Sequence, residues 1–287
     1  MRASVFMAGN GIARLRRRIA EIETAGAVAD LRPAEEGAVS LAPRRGATVI
    51  PFGIPDLDGK LAGGLRRSAL HEIRAAESRE AGAATGFATA ILARLARTDS
   101  RPMLWVVEAA ASHEAGLLYG TGFGTFGLDP GRLIVVTVAR PADALWVFEE
   151  GLRCRGLAAV TAEIRGNPRQ LDLTASRRLA LRARENGVMG LLLRQSNRDD
   201  AGAATTRWLV TPRPAAITDD FPAGIGLAAW RLTLERNRRG FTGIFDVEWD
   251  HDRQSFAPAR RAALSIAAPA VSFDRPAPPA VARPLVA

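Results

Sequence analysis

Between residues 68 and 193 the chain alternates short apolar runs with longer segments of helical periodicity. This alternation is typical of βα units, in which parallel strands buried on both faces are covered by crossover helices. The sequence therefore predicts an α/β fold with a mainly parallel central sheet flanked by helices. The predicted strands cover residues 68–73, 103–108, 132–137, 156–164 and 188–193, and the predicted helices cover residues 81–97, 141–154 and 173–186.

Beyond residue 200 the pattern changes to strands without intervening helices, at residues 206–210, 227–236 and 244–249. We expect these strands to be antiparallel and to extend one edge of the sheet. Apolar residues at helical spacing predict an amphipathic N-terminal helix over residues 10–26. The expected organisation is an N-terminal helix and linker (1–47), a core (48–257) and a disordered tail rich in proline and alanine (258–287).

The net charge of +9 suggests a polyanionic partner, although all but one of the 39 basic residues are arginine, as in a GC-rich coding background. The single cysteine cannot form an internal disulfide, and no stretch approaches the roughly 20 apolar residues that span a bilayer. The N-terminal basic cluster follows a short apolar stretch, the reverse of a secretory signal. We expect a cytoplasmic protein that does not contact a membrane.

The helix after the first core strand is where an α/β protein of this layout holds a phosphate, through backbone N–H groups and a lysine. The one lysine, Lys60, precedes that strand. The segment that follows the strand, residues 74–86, instead carries Glu77 and Glu80, whose carboxylates would repel phosphate. A remaining nucleotide site would use this degenerate loop region, Arg74, Glu77 and Thr85, with Glu108 and Glu163 nearby.

Other catalytic chemistry finds little support. The three histidines are far apart in sequence with no cysteine near them, so we expect no metal site, and His71 is expected to be packed or hydrogen-bonded. Flanking arginines could activate Cys154, but no histidine lies nearby in sequence. Glu108 and Glu163 lie where α/β sheets place ligands, at strand ends, yet no lysine would hold a phosphate beside them. We therefore expect no catalytic residue and no cofactor.

Basic residues cluster on the first predicted helix, on the helix at residues 173–186 and around the strand at residues 227–236. Each cluster is first of all a solvated face, but a set that converges on one side would form a phosphate-tracking surface. Tryptophans 208, 230 and 249 on the late strands are expected to pack in the core. The candidates for DNA or partner contact are Arg177, Arg178, Arg182, Arg236, Arg238 and Arg239.

Residues 51–73, PFGIPDLDGKLAGGLRRSALHEI, resemble the start of the ATPase core of RecA-type recombinases, with a short turn at Leu57-Asp58 and a strand that ends in His71-Glu72-Ile73. More closely, they are similar to the ImuA family, the RecA-like proteins of bacterial inducible mutagenesis cassettes. Further segments agree in order, and the resemblance covers residues 48–257. These segments are the strand ending at Glu108, residues 127–136, the helix from Asp143, the strand through Glu163, residues 191–195, and residues 234–240 with the strand that follows them.

The sequence departs from the RecA-type pattern at the nucleotide site. Ala110 stands where the recombinase's catalytic glutamate would align, and the aspartate of the second nucleotide motif is replaced near Thr161 and Glu163. Gln195 matches a nucleotide-sensing glutamine, but without the rest of the site we expect it to be structural. Such losses are expected of ImuA-like proteins, and they argue against strand exchange driven by ATP hydrolysis.

The resemblance implies a RecA-like core and a non-catalytic accessory role in SOS-induced, error-prone translesion DNA synthesis. The implied partners are an ImuB-type Y-family polymerase homologue and an error-prone C-family DNA polymerase, with RecA and DNA as further possible partners. The RecA-like body, together with the first helix or the tail, would dock them. Two alternatives remain open: a divergent nucleotide-dependent ATPase of DNA repair, and a cell-division inhibitor resembling SulA.

Overall fold

The computed structural model describes residues 4–6, 48–196, 200–215 and 226–260, and its main feature is a ten-stranded sheet. Five core strands run parallel in the order β6-β5-β7-β8-β4, and β1 pairs parallel with β6 at the outer edge. The predicted parallel α/β core is therefore confirmed. These strands are β1 (Ser4–Phe6), β4 (Leu70–Ala75), β5 (Met103–Glu108), β6 (Leu133–Val138), β7 (Ala159–Arg165) and β8 (Met189–Gln195), while β2 (Val49–Ile50) and β3 (Leu65–Arg66) form a separate antiparallel pair.

Helices cover both faces of the sheet. One face packs against α2, and the other packs against α5 and α6. Within the described ranges, no helix is both long and apolar enough to cross a membrane. The helices are α1 (Pro55–Lys60), α2 (Ala81–Ala96), α3 (Ala109–Ala115), α4 (Gly120–Thr125), α5 (Pro141–Arg153) and α6 (Leu173–Asn186), with short 3-10 turns at Ser78–Glu80 and Pro130–Arg132.

Local capping sets the ends of the longer helices. Proline at the first position of α5 has the backbone angle that a first turn needs. The carboxylate of Asp172 accepts a hydrogen bond from Ala175 N (2.7 Å) and caps α6, which ends at Gly187 in the left-handed conformation (φ 68°). These signals are local, so α6 has the bounds that the sequence predicts.

The late strands extend the sheet beyond β4, as predicted. They are β9 (Thr206–Pro212), β10 (Ala229–Asn237), β11 (Gly243–Asp250) and β12 (Ser255–Pro258), and the last three are antiparallel to their neighbours. The expectation that all the late strands are antiparallel is wrong for β9, which runs parallel to β4. The chain returns to the amino end of β4 before β9 begins, and Thr205 N there donates to Leu70 O (2.7 Å).

One further expectation needs correction, one strand was not expected, and three predicted segments lie outside the described residues. Leu57-Asp58 is part of α1 and not of a turn, because the Asp58 carboxylate accepts hydrogen bonds from Phe52 N (2.7 Å) and Gly53 N (2.8 Å). The strand β1 was not predicted. The predicted helix at 10–26, its linker, and the tail beyond residue 260 lie outside the described residues.

A buried carboxylate joins the parallel strands to the late strands. Glu72 on β4 accepts hydrogen bonds from Arg194 Nη1 on β8 (2.9 Å) and from Arg207 Nε on β9 (2.8 Å). All three side chains are 4% exposed or less. Since an unpaired buried charge is strongly unfavourable, the triad requires all of its members.

We expect Glu72→Ala to lower the free energy of unfolding by about 3–5 kcal/mol, because it removes the buried carboxylate that bonds both guanidinium groups, and the remaining carboxylate partner of Arg194, Asp200, is largely exposed. Urea unfolding followed by circular dichroism measures the change. The control is Glu150→Ala, which removes an exposed ion pair with Arg153 and should cost less than about 1 kcal/mol. Equal losses in the two variants would contradict this account.

Candidate functional site

The loop between β4 and α2 occupies the position of a phosphate loop, and side chains of the loop itself already bond three of its backbone N–H groups. Ala76 N and Glu77 N both donate to Glu80 Oε2, at 3.2 and 3.4 Å. The Glu77 carboxylate accepts the reciprocal bond from the Glu80 backbone and pairs with Arg79 (2.9 Å). The Glu80 carboxylate therefore occupies two backbone donors of a loop that, in a phosphate-binding protein, would bond an anion.

Arg74 does not reach this loop as a phosphate ligand. Its side chain is buried on β4, and Nη2 donates to Glu235 Oε1 on β10 at 2.7 Å. This ion pair crosses β9, which lies between β4 and β10. Arg74 therefore stabilises the sheet.

Glu163 on β7 is held by two donors beneath α2. Its Oε1 accepts a hydrogen bond from Thr85 Oγ1 (2.6 Å), and its Oε2 accepts a longer one from Trp105 Nε1 (3.4 Å). Burial raises the pKa of Glu163, and the two hydrogen bonds only partly oppose that effect. The sequence placed Thr85 and Glu163 near one another in a degenerate nucleotide site but gave no signal for Trp105.

A cavity of about 210 Å³, here called the strand-end cavity, opens beside Thr85 and Glu163. Glu163 is the only charged residue among its described lining residues, so no lysine or arginine is present to balance phosphate charge. At its rim, Leu117 is 83% exposed and Tyr119 is 72% exposed. The remaining wall comes from apolar and glycine residues that include Leu118, Gly122, Phe123 and Phe126.

The other strand-end residues do not line this cavity. Glu108 is buried, and its Oε2 accepts a hydrogen bond from Arg165 N (2.9 Å), so it ties the ends of β5 and β7 together. Ala110 lies in the first turn of α3. At the end of β8, both amide atoms of Gln195 are buried without a hydrogen-bond partner among the described residues, and those of Asn167 are likewise unpartnered.

Residues that could support other chemistries have structural surroundings. His71 Nδ1 lies 2.7 Å from Thr206 Oγ1, its Nε2 lies 2.8 Å from Arg66 O, and burial lowers its pKa to about 4. Cys154 is fully buried at the end of α5. In the described part of the chain, no group of three or more histidine, cysteine, aspartate or glutamate residues could hold a metal ion.

The structure divides the six candidate arginines into two sets. Arg177, Arg238 and Arg239 line one groove, which we call the arginine groove, together with Arg66 and Arg184. The sequence gave no signal that would join Arg66 to the others. The remaining candidates lie outside the lining: Arg178 pairs with Glu149, Arg182 pairs with Glu185, and Arg236 donates to Gly202 O.

The parallel core, the phosphate-loop position between β4 and α2, and the antiparallel extension beyond β9 define a RecA-like α/β protein. A solved structure of the RadB recombinase shares this fold, with a TM-score of 0.50 over 74% of this chain and 100% of that chain, at 13% sequence identity. At this identity the likeness shows the fold alone.

Sequence comparison identifies the particular family. The chain is 33% identical over 208 residues to Protein ImuA of Caulobacter vibrioides, in strain NA1000 / CB15N and in strain ATCC 19089 / CIP 103742 / CB 15. The match covers 68% of this chain and 81% of each relative. No protein-family model matches the chain. The chain belongs to the ImuA family.

The raised pKa of Glu163 predicts a pH-dependent difference between the wild type and Glu163→Gln. The folded protein holds this proton more tightly than the unfolded chain, so native stability falls as pH rises from the ordinary glutamate pKa through the raised one. Glutamine can still accept from Trp105 and donate to Thr85. We expect the variant to gain stability over the wild type across that rise, and to keep the gain at neutral pH.

Urea unfolding between acid and neutral pH measures this difference. Glu150→Gln, at a partly exposed surface position, serves as the control and should show no such difference from the wild type. A variant that is less stable than the wild type at neutral pH, with the gap widening as pH rises, would show that the ionised form of Glu163 stabilises the fold.

Proposed function

We propose that this protein is a non-catalytic accessory factor of SOS-induced, error-prone translesion DNA synthesis, and that it works as a RecA-like interaction module in the cytoplasm. The observation that carries the proposal is the Glu80 carboxylate, which bonds the backbone N–H groups of Ala76 and Glu77 where a phosphate would be held. Membership of the ImuA family supports the choice of pathway.

The charge of the strand-end cavity supports the absence of ATP hydrolysis. Phosphoryl transfer needs cations that neutralise the phosphates, usually a lysine and a magnesium ion. Residues 76–86, the loop and the first turns of α2, contain no lysine, and the charged residue in the cavity lining is the buried Glu163. An ionised Glu163 would repel a nucleotide, and a protonated one would leave its phosphates unbalanced.

The proposed partners are an ImuB-type Y-family polymerase homologue and an error-prone C-family DNA polymerase, with RecA as a further partner. Large apolar side chains exposed beside a cavity are typical of protein-binding surfaces. Leu117 and Tyr119 present such a surface at the rim of the strand-end cavity. We assign them to partner contact.

A second candidate function is that of a nucleotide-gated switch. The unpartnered amide of Gln195 favours it, because a buried amide at the strand ends calls for a ligand or a water. This function would require the Glu80 carboxylate to leave the N–H groups of Ala76 and Glu77. Nucleotide binding therefore separates the two candidates.

We expect the purified full chain to show no saturable binding of a fluorescent ATP analogue with magnesium and no release of phosphate. The reason is that loop carboxylates occupy the N–H groups of Ala76, Glu77 and Glu80, and that the loop contains no lysine. Glu80→Ala frees the donors without supplying a cation, so we expect it to restore at most weak binding. Phosphate release that is abolished by Glu163→Gln would instead establish an ATPase.

We also expect Leu117→Ser combined with Tyr119→Ser to weaken capture of the ImuB-type homologue by tenfold or more, since buried anchors at an interface contribute about 1 kcal/mol or more each. Capture by immobilised full chain, with titration of the purified partner, measures the effect. Phe241→Ser, at an apolar position that is 61% exposed and away from the cavity lining, is the control.

An unchanged affinity in the double variant would remove this rim from the interface. Capture of the tubulin-like division protein in place of the polymerase homologue would favour the SulA-like alternative. Both outcomes can be read independently of nucleotide binding.

A further inference from the structure

The arginine groove lies at the amino ends of the parallel strands, and the strand-end cavity lies at their carboxyl ends. Residues just before β4 and β9 form part of its wall, and so do Arg238 and Arg239, which follow the end of β10. The phosphate-loop position, like the cavity, lies at the carboxyl ends of the strands, where α/β proteins place their ligands. The groove is therefore separate from the site described above.

The groove measures about 390 Å³ and brings together arginines from three separate segments. Its described lining contains no aspartate or glutamate. Apolar residues complete the lining together with two hydroxyl side chains, Ser68 and Thr205. The arginines are Arg66 at the end of β3, Arg177 and Arg184 on α6, and Arg238 and Arg239 after β10.

Three of these guanidinium groups are uncommitted. The side chains of Arg66, Arg177 and Arg184 make no hydrogen bond or ion pair with the residues that the structure describes, and each residue is exposed. Like charges that converge without counter-ions repel one another, so the arrangement favours an anion that spans them. By contrast, Arg178 on the same helix forms an ion pair with Glu149.

The other two arginines are fixed in place by the backbone. Arg238 Nη2 donates to Ala203 O (2.9 Å), and Arg239 Nη1 donates to Leu61 O (3.3 Å). A guanidinium has five N–H donors, so each keeps several for a ligand. The groove thus combines two positioned arginines with three free ones.

We propose that the arginine groove binds the phosphodiester backbone of DNA without reading its sequence. Arginine is suited to phosphate because its planar fork can donate two hydrogen bonds to one phosphate group, and serine and threonine hydroxyls also donate to phosphates. The described lining contains no aromatic residue on which a base could stack, so the contact is with the backbone.

The observations favour DNA over an acidic peptide. A peptide commonly binds by adding a strand to an open sheet edge. Two of the strands that border this groove are paired on both sides, since β4 lies between β8 and β9, and β9 lies between β4 and β10. The third, β3, has an open side but is only two residues long, which is too short to hold an added strand. The net charge of +9 adds a general attraction for long polyanions.

The test measures binding of the full chain to a labelled mixed-sequence oligonucleotide, as a single strand and as a duplex, by fluorescence anisotropy over a range of salt concentrations. With five phosphate contacts, the affinity should fall by roughly 500-fold for the duplex and roughly 100-fold for the single strand between about 50 and 200 mM salt. We expect saturable binding of at least one of the two oligonucleotide forms. The ratio of the two affinities shows whether the groove prefers single-stranded or duplex DNA.

The decisive variants lie on one helix and remove the same charge. Arg177→Ala with Arg184→Ala removes two uncommitted groove arginines, and should weaken binding about tenfold and reduce the salt slope by about 2. Arg178→Ala with Arg182→Ala removes two arginines that pair with glutamates outside the groove, and should leave both quantities nearly unchanged. Circular dichroism confirms that each variant is folded.

Three results would overturn the proposal. The first is that the wild type binds neither oligonucleotide. The second is that the two double variants lose affinity equally, which would mean that only net charge matters. The third is competition by oligoglutamate as effective as that by DNA, which would make the groove a site for acidic protein segments. None of these measurements uses a polymerase partner, so the groove and the proposed function are tested separately.

Discussion

The buried carboxylate of Glu72 holds the sheet together where its two parts meet. It bonds Arg194 on one neighbouring strand and Arg207 on the other, so β4 is fixed between the parallel core and the antiparallel extension. Both ends of β4 lead to the surfaces for which we propose functions: the loop that precedes α2 at one end and the arginine groove at the other. This charged contact therefore adds to the backbone pairing that positions β4 between the two surfaces.

At the carboxyl end of β4, the fold keeps the shape of a phosphate site while its electrostatics are reversed. Backbone donors that favour an anion are bonded to the chain's own Glu80, and the adjoining cavity contains Glu163 without a cation. Such a site preserves the helix and loop positions of a RecA-like protein. Its free surface is the apolar rim around Leu117 and Tyr119, which suits contact with a protein.

The sequence predicts the long elements well because their signals are local. The strand at Met103–Glu108 and the helix at Leu173–Asn186 have the predicted bounds, since one is a continuous apolar run and the other has a capping aspartate and a terminal glycine. The short helices α1, α3 and α4 and the strand β12 escaped prediction. Each is too short for periodicity to reveal it, and forms because the surrounding core supports it.

The sequence by itself determined that the loop after the first core strand lacks a lysine, that arginine dominates the charge, and that the chain is similar to the ImuA family. Only the tertiary structure decided what the strand-end carboxylates do. The register places Glu163 opposite Val107, and because side chains alternate along a strand, Glu108 faces away from the cavity that Glu163 lines. It also decided which arginines meet, since Arg66 joins Arg177 only when the sheet brings their distant segments together.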